Sequence, residues 1–271
     1  VLTNSQIGGR RNIVINGAMQ VAQRATSSTD IGGSSGYFTC DRWHMSPSGT
    51  AGRLTMTQDS SAPSGFANSI KLDCTTADTS IASSEFLLFT HKFEGQDVQS
   101  FAKGTSDAKQ FSLSFYVKGN ASATYVAELM DEDNSNRHVN KSFSVTTNWT
   151  RVELLFPADT TGTLDDDNAL SLSLNIWLHA GSDFTSGSLQ TTWGALSQTS
   201  RAVGISSFFS STDNTFFITG VQLEVGNQAT PFEHRSFGEE LALCQRYYYK
   251  LINDSDADSF ATGSNNTTTT S

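Results

Sequence analysis

A tryptophan flanked by hydrogen-bonding side chains lies in the most regular alternating stretch of the chain. Between positions 170 and 179, leucine and isoleucine alternate with Ser173, Asn175, Trp177 and His179. Alternation with a period of two predicts a strand that buries its apolar face, so these four residues share the other face. An indole ring can stack on the C–H face of a sugar, while an amide and an imidazole bond to its hydroxyls. Trp177, Asn175 and His179 are therefore candidate glycan-binding residues.

A second alternating stretch, at 111–118, predicts another strand whose polar face carries Tyr116. If the two strands lie side by side, Tyr116 extends the glycan-binding strip. The alternative is that Trp177 is covered by a neighbouring subunit or loop, because aromatic residues are also enriched at protein interfaces. The sequence leaves both interpretations open.

Two acidic runs, 131–133 and 165–167, are the other groups of charged residues that could do chemistry. A glycoside hydrolase needs two carboxyl groups fixed across a cleft, whereas these runs lie within predicted turns. Calcium binds clustered loop oxygens, so Asp165 and Asp167 are calcium candidates, although neither run has EF-hand spacing. No other cofactor is expected.

Other catalytic signals are weak. The stretch 32–36 matches the G-x-S-x-G pattern of a nucleophile elbow, but it lies in a serine- and glycine-rich loop with no helix predicted after it. The five histidines are scattered, and none has the spacing of a zinc-protease motif. We expect no enzymatic activity.

The charge balance indicates which partners to expect. The chain has 271 residues and a formal net charge of −10, with 17 lysines and arginines against 27 aspartates and glutamates. A nucleic-acid partner is not expected, because no basic stripe is present to neutralise phosphates. No apolar run approaches the ~20 residues of a membrane span, so membrane insertion is not expected either. The three cysteines, Cys40, Cys74 and Cys244, form neither a disulfide framework nor a metal knuckle.

Many short strands separated by turn clusters predict an all-β fold, a jelly-roll β-sandwich of antiparallel strands with a short C-terminal helix. Ser236 and Glu239 fit a capping box at the start of that helix, which should pack Phe237, Leu241 and Cys244 onto the sandwich or a neighbour. The expected organisation has three parts. Residues 1–11 connect to a longer chain, 12–235 form the sandwich, and 236–271 form the helix and a mobile linker to a further C-terminal unit. The expected core residues are Phe111, Leu113, Phe115, Leu172, Leu174 and Ile176.

Six blocks of sequence together resemble a domain of bacteriophage tail-fibre and other virion surface proteins. They read NIVINGAMQVAQR at 12–24, DRW at 41–43, KFEGQDV at 92–98, FSLSFYVK at 111–118, ITGVQLEVG at 218–226 and TPFEHRSFGEELALCQRYYY at 230–249. The last block is long and idiosyncratic, which makes the resemblance specific. The layout is also similar to galactose-binding-like jelly rolls and carbohydrate-binding modules.

The resemblance implies a virion structural protein, a tail fibre or similar appendage, located on the virion surface. It further implies other virion proteins as partners, a homotrimer, and host attachment through a glycan. The alternative is a capsid or tail decoration protein that stabilises or displays without binding a receptor. A capsule-degrading spike would require a long repetitive β-helix, and the sequence shows no such period.

Overall fold

The structure is a computed structural model, and it describes residues 10–250. The predictions made for residues 1–9 and 251–271, including the mobile linker, lie outside the described residues. Twelve strands form two antiparallel sheets of six strands each, which pack face to face as a jelly-roll sandwich. The predicted all-β class and two-sheet architecture are confirmed.

The strands of sheet 1 are ordered β1-β4-β5-β12-β7-β10, and those of sheet 2 are ordered β2-β3-β6-β11-β8-β9. Their bounds are β1 Ser27–Ile31, β2 Gly36–Tyr37, β3 Trp43–Ser48, β4 Arg53–Asp59, β5 Ser69–Thr76, β6 Phe86–Glu94, β7 Phe111–Gly119, β8 Ala123–Asp131, β9 Arg137–Val145, β10 Thr150–Phe156, β11 Leu170–Ala180 and β12 Thr215–Val225. The helices are α1 Gly95–Val98, α2 Ser182–Thr185 and α3 Phe237–Gln245, with 3₁₀ turns at Gln99–Phe101, Gln198–Ser200 and Phe208–Ser210.

The core lies between the two sheets. All six residues that the alternating patterns assign to it are buried there: Phe111, Leu113, Phe115, Leu172, Leu174 and Ile176. Trp43 of β3 stacks on Phe89 of β6, with ring centres 4.7 Å apart and planes 7° apart. Strands that alternate with period two thus present their apolar sides to each other across the sandwich.

Two parts of the N-terminal region differ from expectation. The stretch 26–36 is rich in serine, threonine and glycine, which favours a loop, yet β1 and β2 form within it because β4 and β3 provide backbone partners. Conversely, residues 12–15 form no strand, although their apolar β-branched residues and the Asn16-Gly17 turn signal after them favour one. There the chain runs beside β12, and the Asn12 side chain replaces ladder bonds, donating to Val221 O and accepting from Leu223 N at 3.1 Å each.

The C-terminal helix α3 begins as predicted, with Ser236 Oγ accepting a hydrogen bond from Glu239 N at 3.3 Å. Cys244 is buried and Leu241 packs beside it against Ile15 and Val21. Phe237, at the first helical position, does not pack onto the sandwich, because the residue is 56% exposed, and its packing against a neighbour stays a prediction. Among residues 10–250 there is no helix of the length and hydropathy needed to cross a membrane.

The connection from β11 to β12 passes over the outer face of sheet 2. We call residues 181–206 of this connection the covering segment. It packs Phe184, Leu189, Ala202 and Ile205 into a second apolar cluster. It also pairs with the edge strand β9, through a bridge between His138 and Gly194. The part of the outer face of sheet 2 around Trp177 is therefore an interior surface.

Candidate functional site

Trp177 lies in the cluster beneath the covering segment and is fully buried. Its indole N–H donates to Glu128 Oε2 at 3.2 Å, and the centre of its ring lies 5.2 Å from that of the Phe184 ring. The Arg201 guanidinium lies over the same ring at 4.7 Å. Of the two interpretations that the sequence left open, the exposed stacking ring at Trp177 is wrong and the cover by a loop is confirmed, because the chain's own covering segment packs on the ring.

Asn175 and His179 are also buried, and their polar groups face other protein groups. Asn175 donates to Glu128 Oε2 at 3.0 Å and accepts from Thr90 Oγ1 at 2.9 Å. His179 does not join this cluster, since its Nδ1 lies 2.7 Å from Ser207 Oγ. The structure thus brings Asn175 and Trp177 together at Glu128, and it leaves none of the three predicted residues available to a glycan.

Glu128 of β8 organises this buried face. Its carboxylate accepts two hydrogen bonds from Arg201, at 2.8 and 2.7 Å, and lies 3.2 Å from His138 Nδ1. Burial alone would raise the pKa of Glu128, but the charge and hydrogen bonds of Arg201, aided by His138, lower it to about 2. With every partner inside the protein, this group fastens the covering segment to sheet 2. Sequence reasoning missed it, although a lone carboxylate within an apolar strand is the signal.

Tyr116 has a different environment, on the outer face of sheet 1. Its half-buried ring lies 5.4 Å from that of Phe66, which in turn lies 5.0 Å from Phe232 and 5.1 Å from His234. We call Phe66, Tyr116, Phe232 and His234 the aromatic platform. His234 is exposed and the other three are half-buried, so the platform offers ring surface to solvent.

A β-bulge in β12 makes the aromatic platform possible. Gly220 lies in the bulge with φ +63°, a conformation that favours glycine. A Cβ atom there would lie 2.7 Å from the Phe66 ring and 3.0 Å from that of Tyr116. The two rings can therefore meet over the backbone only because residue 220 has no side chain.

The segment after β12 carries the other half of the aromatic platform. Glu224 accepts hydrogen bonds from Thr230 N and Oγ1, and Gln222 accepts one from Glu233 N at 2.8 Å. These bonds hold residues 230–233 against the sheet, which places Phe232 beside Phe66. Sequence reasoning missed Phe66, Phe232 and His234, because they lie in non-repetitive segments where no pattern marks a shared surface.

A second group of rings lies on the same outer face of sheet 1. Phe217 of β12 pairs with Lys118 of β7, two residues along the strands from the pair formed by Thr219 and Tyr116. The Lys118 ammonium lies 4.4 Å from the centre of the Phe217 ring and 5.2 Å from that of Trp149. This outer face therefore combines stacking surfaces with a cationic hydrogen-bond donor.

Asp165 and Asp167 are exposed. Asp167 Oδ1 already accepts a hydrogen bond from Ala169 N at 2.8 Å. Within residues 10–250, neither belongs to a group of three metal-ligating side chains whose ligand atoms approach within 4.8 Å. Calcium binding at this pair stays a prediction.

Comparisons with known proteins give structural similarity only. No family model matches the chain, and no curated protein matches it. It is similar to a carbohydrate-binding module in complex with β-1,4-galactotriose, with a TM-score of 0.40, 10% identity, and coverage of 80% of this chain and 99% of that one. It is also similar to the family 11 carbohydrate-binding module of a cellulosomal cellulase from Clostridium thermocellum, with a TM-score of 0.35, 13% identity, and coverage of 68% of this chain and 88% of that one. A third similar structure is the enzymatically active domain of tailspike protein 4 from bacteriophage CBA120, with a TM-score of 0.37, 13% identity, and coverage of 79% of this chain and 21% of that one.

Proposed function

We propose that this chain is a non-enzymatic structural module of a bacteriophage virion appendage, such as a tail fibre, and that it recognises a host-surface glycan. The observation that carries the glycan proposal is the aromatic platform, where half-exposed rings meet on the outer face of sheet 1. The virion role is supported by the six blocks of sequence that resemble phage tail-fibre domains between positions 12 and 249.

The aromatic platform suits weak sugar binding. The rings of Tyr116 and Phe66 offer apolar surface to the C–H groups of a sugar, and the exposed imidazole of His234 can hydrogen-bond to its hydroxyls. Such aromatic contacts contribute about 1 kcal/mol each, so one site binds weakly. A homotrimer on the virion surface would present three sites and bind a host cell by avidity.

The test replaces Tyr116 with alanine and measures binding of the full chain to an array of bacterial and plant oligosaccharides. Tyr249→Ala is the matched control, because Tyr249 is 60% exposed and lies outside the aromatic platform. We expect the unmodified chain and Tyr249→Ala to bind the same glycans, and Tyr116→Ala to lose them while keeping its circular dichroism spectrum. Equal binding by both variants would exclude the aromatic platform as the site.

A second candidate is a decoration protein that stabilises or displays without binding a receptor. It is favoured by the burial of Trp177 beneath the chain's own covering segment, which removes the sequence-predicted glycan strip. In that case the aromatic platform contacts another virion protein or another copy. The unmodified chain would then form a complex with that partner and bind no glycan on the array. Tyr116→Ala would lower the sedimentation coefficient by weakening this complex.

A further inference from the structure

Three potential metal ligands meet at one end of the sandwich, away from the aromatic platform. Asp78 lies in the connection from β5 to β6, Glu85 immediately precedes β6, and His179 lies near the end of β11. One ligand atom from each residue lies within 4.8 Å of the other two. All three side chains are buried, with residue exposures of 5%, 7% and 0%.

Two of these ligand atoms have no hydrogen-bond partner among the described residues. They are Glu85 Oε2 and His179 Nε2, which are buried and lie 3.6 Å apart. Leaving a buried polar atom unpaired costs about 1–3 kcal/mol, and more when the group is charged. At 3.6 Å the two atoms are spaced for an ion pair if the imidazole is protonated, and the same spacing lets them share one cation.

The surrounding hydrogen bonds orient the ligands. The Nδ1 of His179 lies 2.7 Å from Ser207 Oγ, so an Nδ1–H donor leaves the Nε2 lone pair directed at the carboxylates. Asp78 Oδ2 accepts hydrogen bonds from Thr50 Oγ1 at 2.7 Å and from Ala51 N at 2.8 Å. Outer partners of this kind fix the ring and the carboxylate of metal-binding residues.

We propose that Asp78, Glu85 and His179 bind a divalent transition-metal ion, with zinc as the best fit. Ligands about 2.0–2.2 Å from zinc in a tetrahedral site lie about 3.4 Å from each other, close to the 3.6 Å between Glu85 Oε2 and His179 Nε2. The imidazole ligand favours zinc, nickel or copper over calcium and magnesium, which prefer oxygen. A doubly charged ion also neutralises the two buried carboxylates.

The bound ion would hold the covering segment in place. Gly181, the first residue of that segment, donates its N–H to Glu85 O at 2.8 Å, and Ser207 directly follows the segment. The ion would thus join both ends of the covering segment to the connections that carry Thr50 and Asp78.

The experiment titrates zinc chloride into the full chain after treatment with a chelator, with calcium and magnesium chloride in parallel. We expect one zinc ion per chain, a rise of several degrees in melting temperature on zinc addition, and no displacement of the zinc by calcium or magnesium. Glu85→Gln keeps the shape of the side chain but removes a ligand charge, and it should weaken zinc binding more than about 100-fold. Glu153→Gln, the same change at an exposed position of β10, is the matched control and should bind zinc normally.

A second measurement uses only the unmodified chain, in case Glu85→Gln does not fold. Cobalt(II) in place of zinc should give the visible absorption of a tetrahedral site without a thiolate charge-transfer band. No binding of either ion to the folded chain would overturn the proposal. A thiolate band would also overturn it, by assigning the ion to cysteine.

Discussion

The outer faces of the two sheets contrast in what covers them. On sheet 2, the covering segment buries Trp177 and Glu128 completely. On sheet 1, Tyr116 and Phe66 stay half-buried, because the segment after β12 crosses only part of the face. Both faces carry aromatic and hydrogen-bonding side chains, yet one is interior and the other can meet a ligand.

The contrast shows that an alternating pattern identifies the face a side chain lies on, but not whether that face meets water. Sheet 2 is covered because the β11–β12 connection is long and carries apolar residues such as Phe184 and Leu189, together with Arg201 to pair with Glu128. Three predictions test how different the two faces are.

The largest effect is expected from replacing a tryptophan on each face. Trp177→Ala removes a fully buried ring and its hydrogen bond to Glu128, so we expect it to lower the free energy of unfolding by about 5 kcal/mol. Trp149→Ala removes a half-buried ring and should cost about 1 kcal/mol. Denaturant titrations of both variants measure the difference, and equal costs would mean that the covering segment does not pack on Trp177.

A smaller effect is expected from neutralising one carboxylate on each face. Glu128→Gln leaves Arg201 with a buried, uncompensated charge, and should cost about 3 kcal/mol. Glu153→Gln breaks an exposed pair with Arg151 and should cost less than about 1 kcal/mol. If the two variants unfold at the same denaturant concentration, Glu128 does not fasten the covering segment.

The smallest effect is expected from mild acid. The pKa of Glu128 is about 2 in the folded chain, below its ordinary value of 4.5, because of Arg201 and despite burial. Its contribution is therefore full above pH 4.5 and is lost as the pH falls towards 2. Between pH 4.5 and pH 3 the loss is on the order of 1–2 kcal/mol.

The control for this prediction is Glu128→Gln, measured over the same pH range. Subtracting its unfolding free energy from that of the unmodified chain cancels the titration of every other carboxylate. A difference that does not change with pH would contradict the role assigned to Arg201.

The sequence predicted the fold better than the site. Period-two patterns assigned Phe111, Phe115, Leu172 and Ile176 to the core correctly, because a strand with one buried side has an apolar residue at every second position. The helix cap at Ser236 could also be predicted from the sequence, since it depends on two residues that are three positions apart. The short strand β1 could not, because a serine-rich stretch becomes a strand only where β4 offers it backbone partners.

The sequence by itself determined the fold class, the core faces of the central strands and the acidic surface charge, because local periodicity and composition carry that information. Only the tertiary structure decided that Trp177 is covered, that Phe66 meets Tyr116 and Phe232, and that His179 meets Asp78 and Glu85. Except at Trp177, whose covering segment 181–206 follows it closely in the chain, these contacts join residues from about 50 to more than 100 positions apart. They depend on where connections return over the sheets, which no local pattern records.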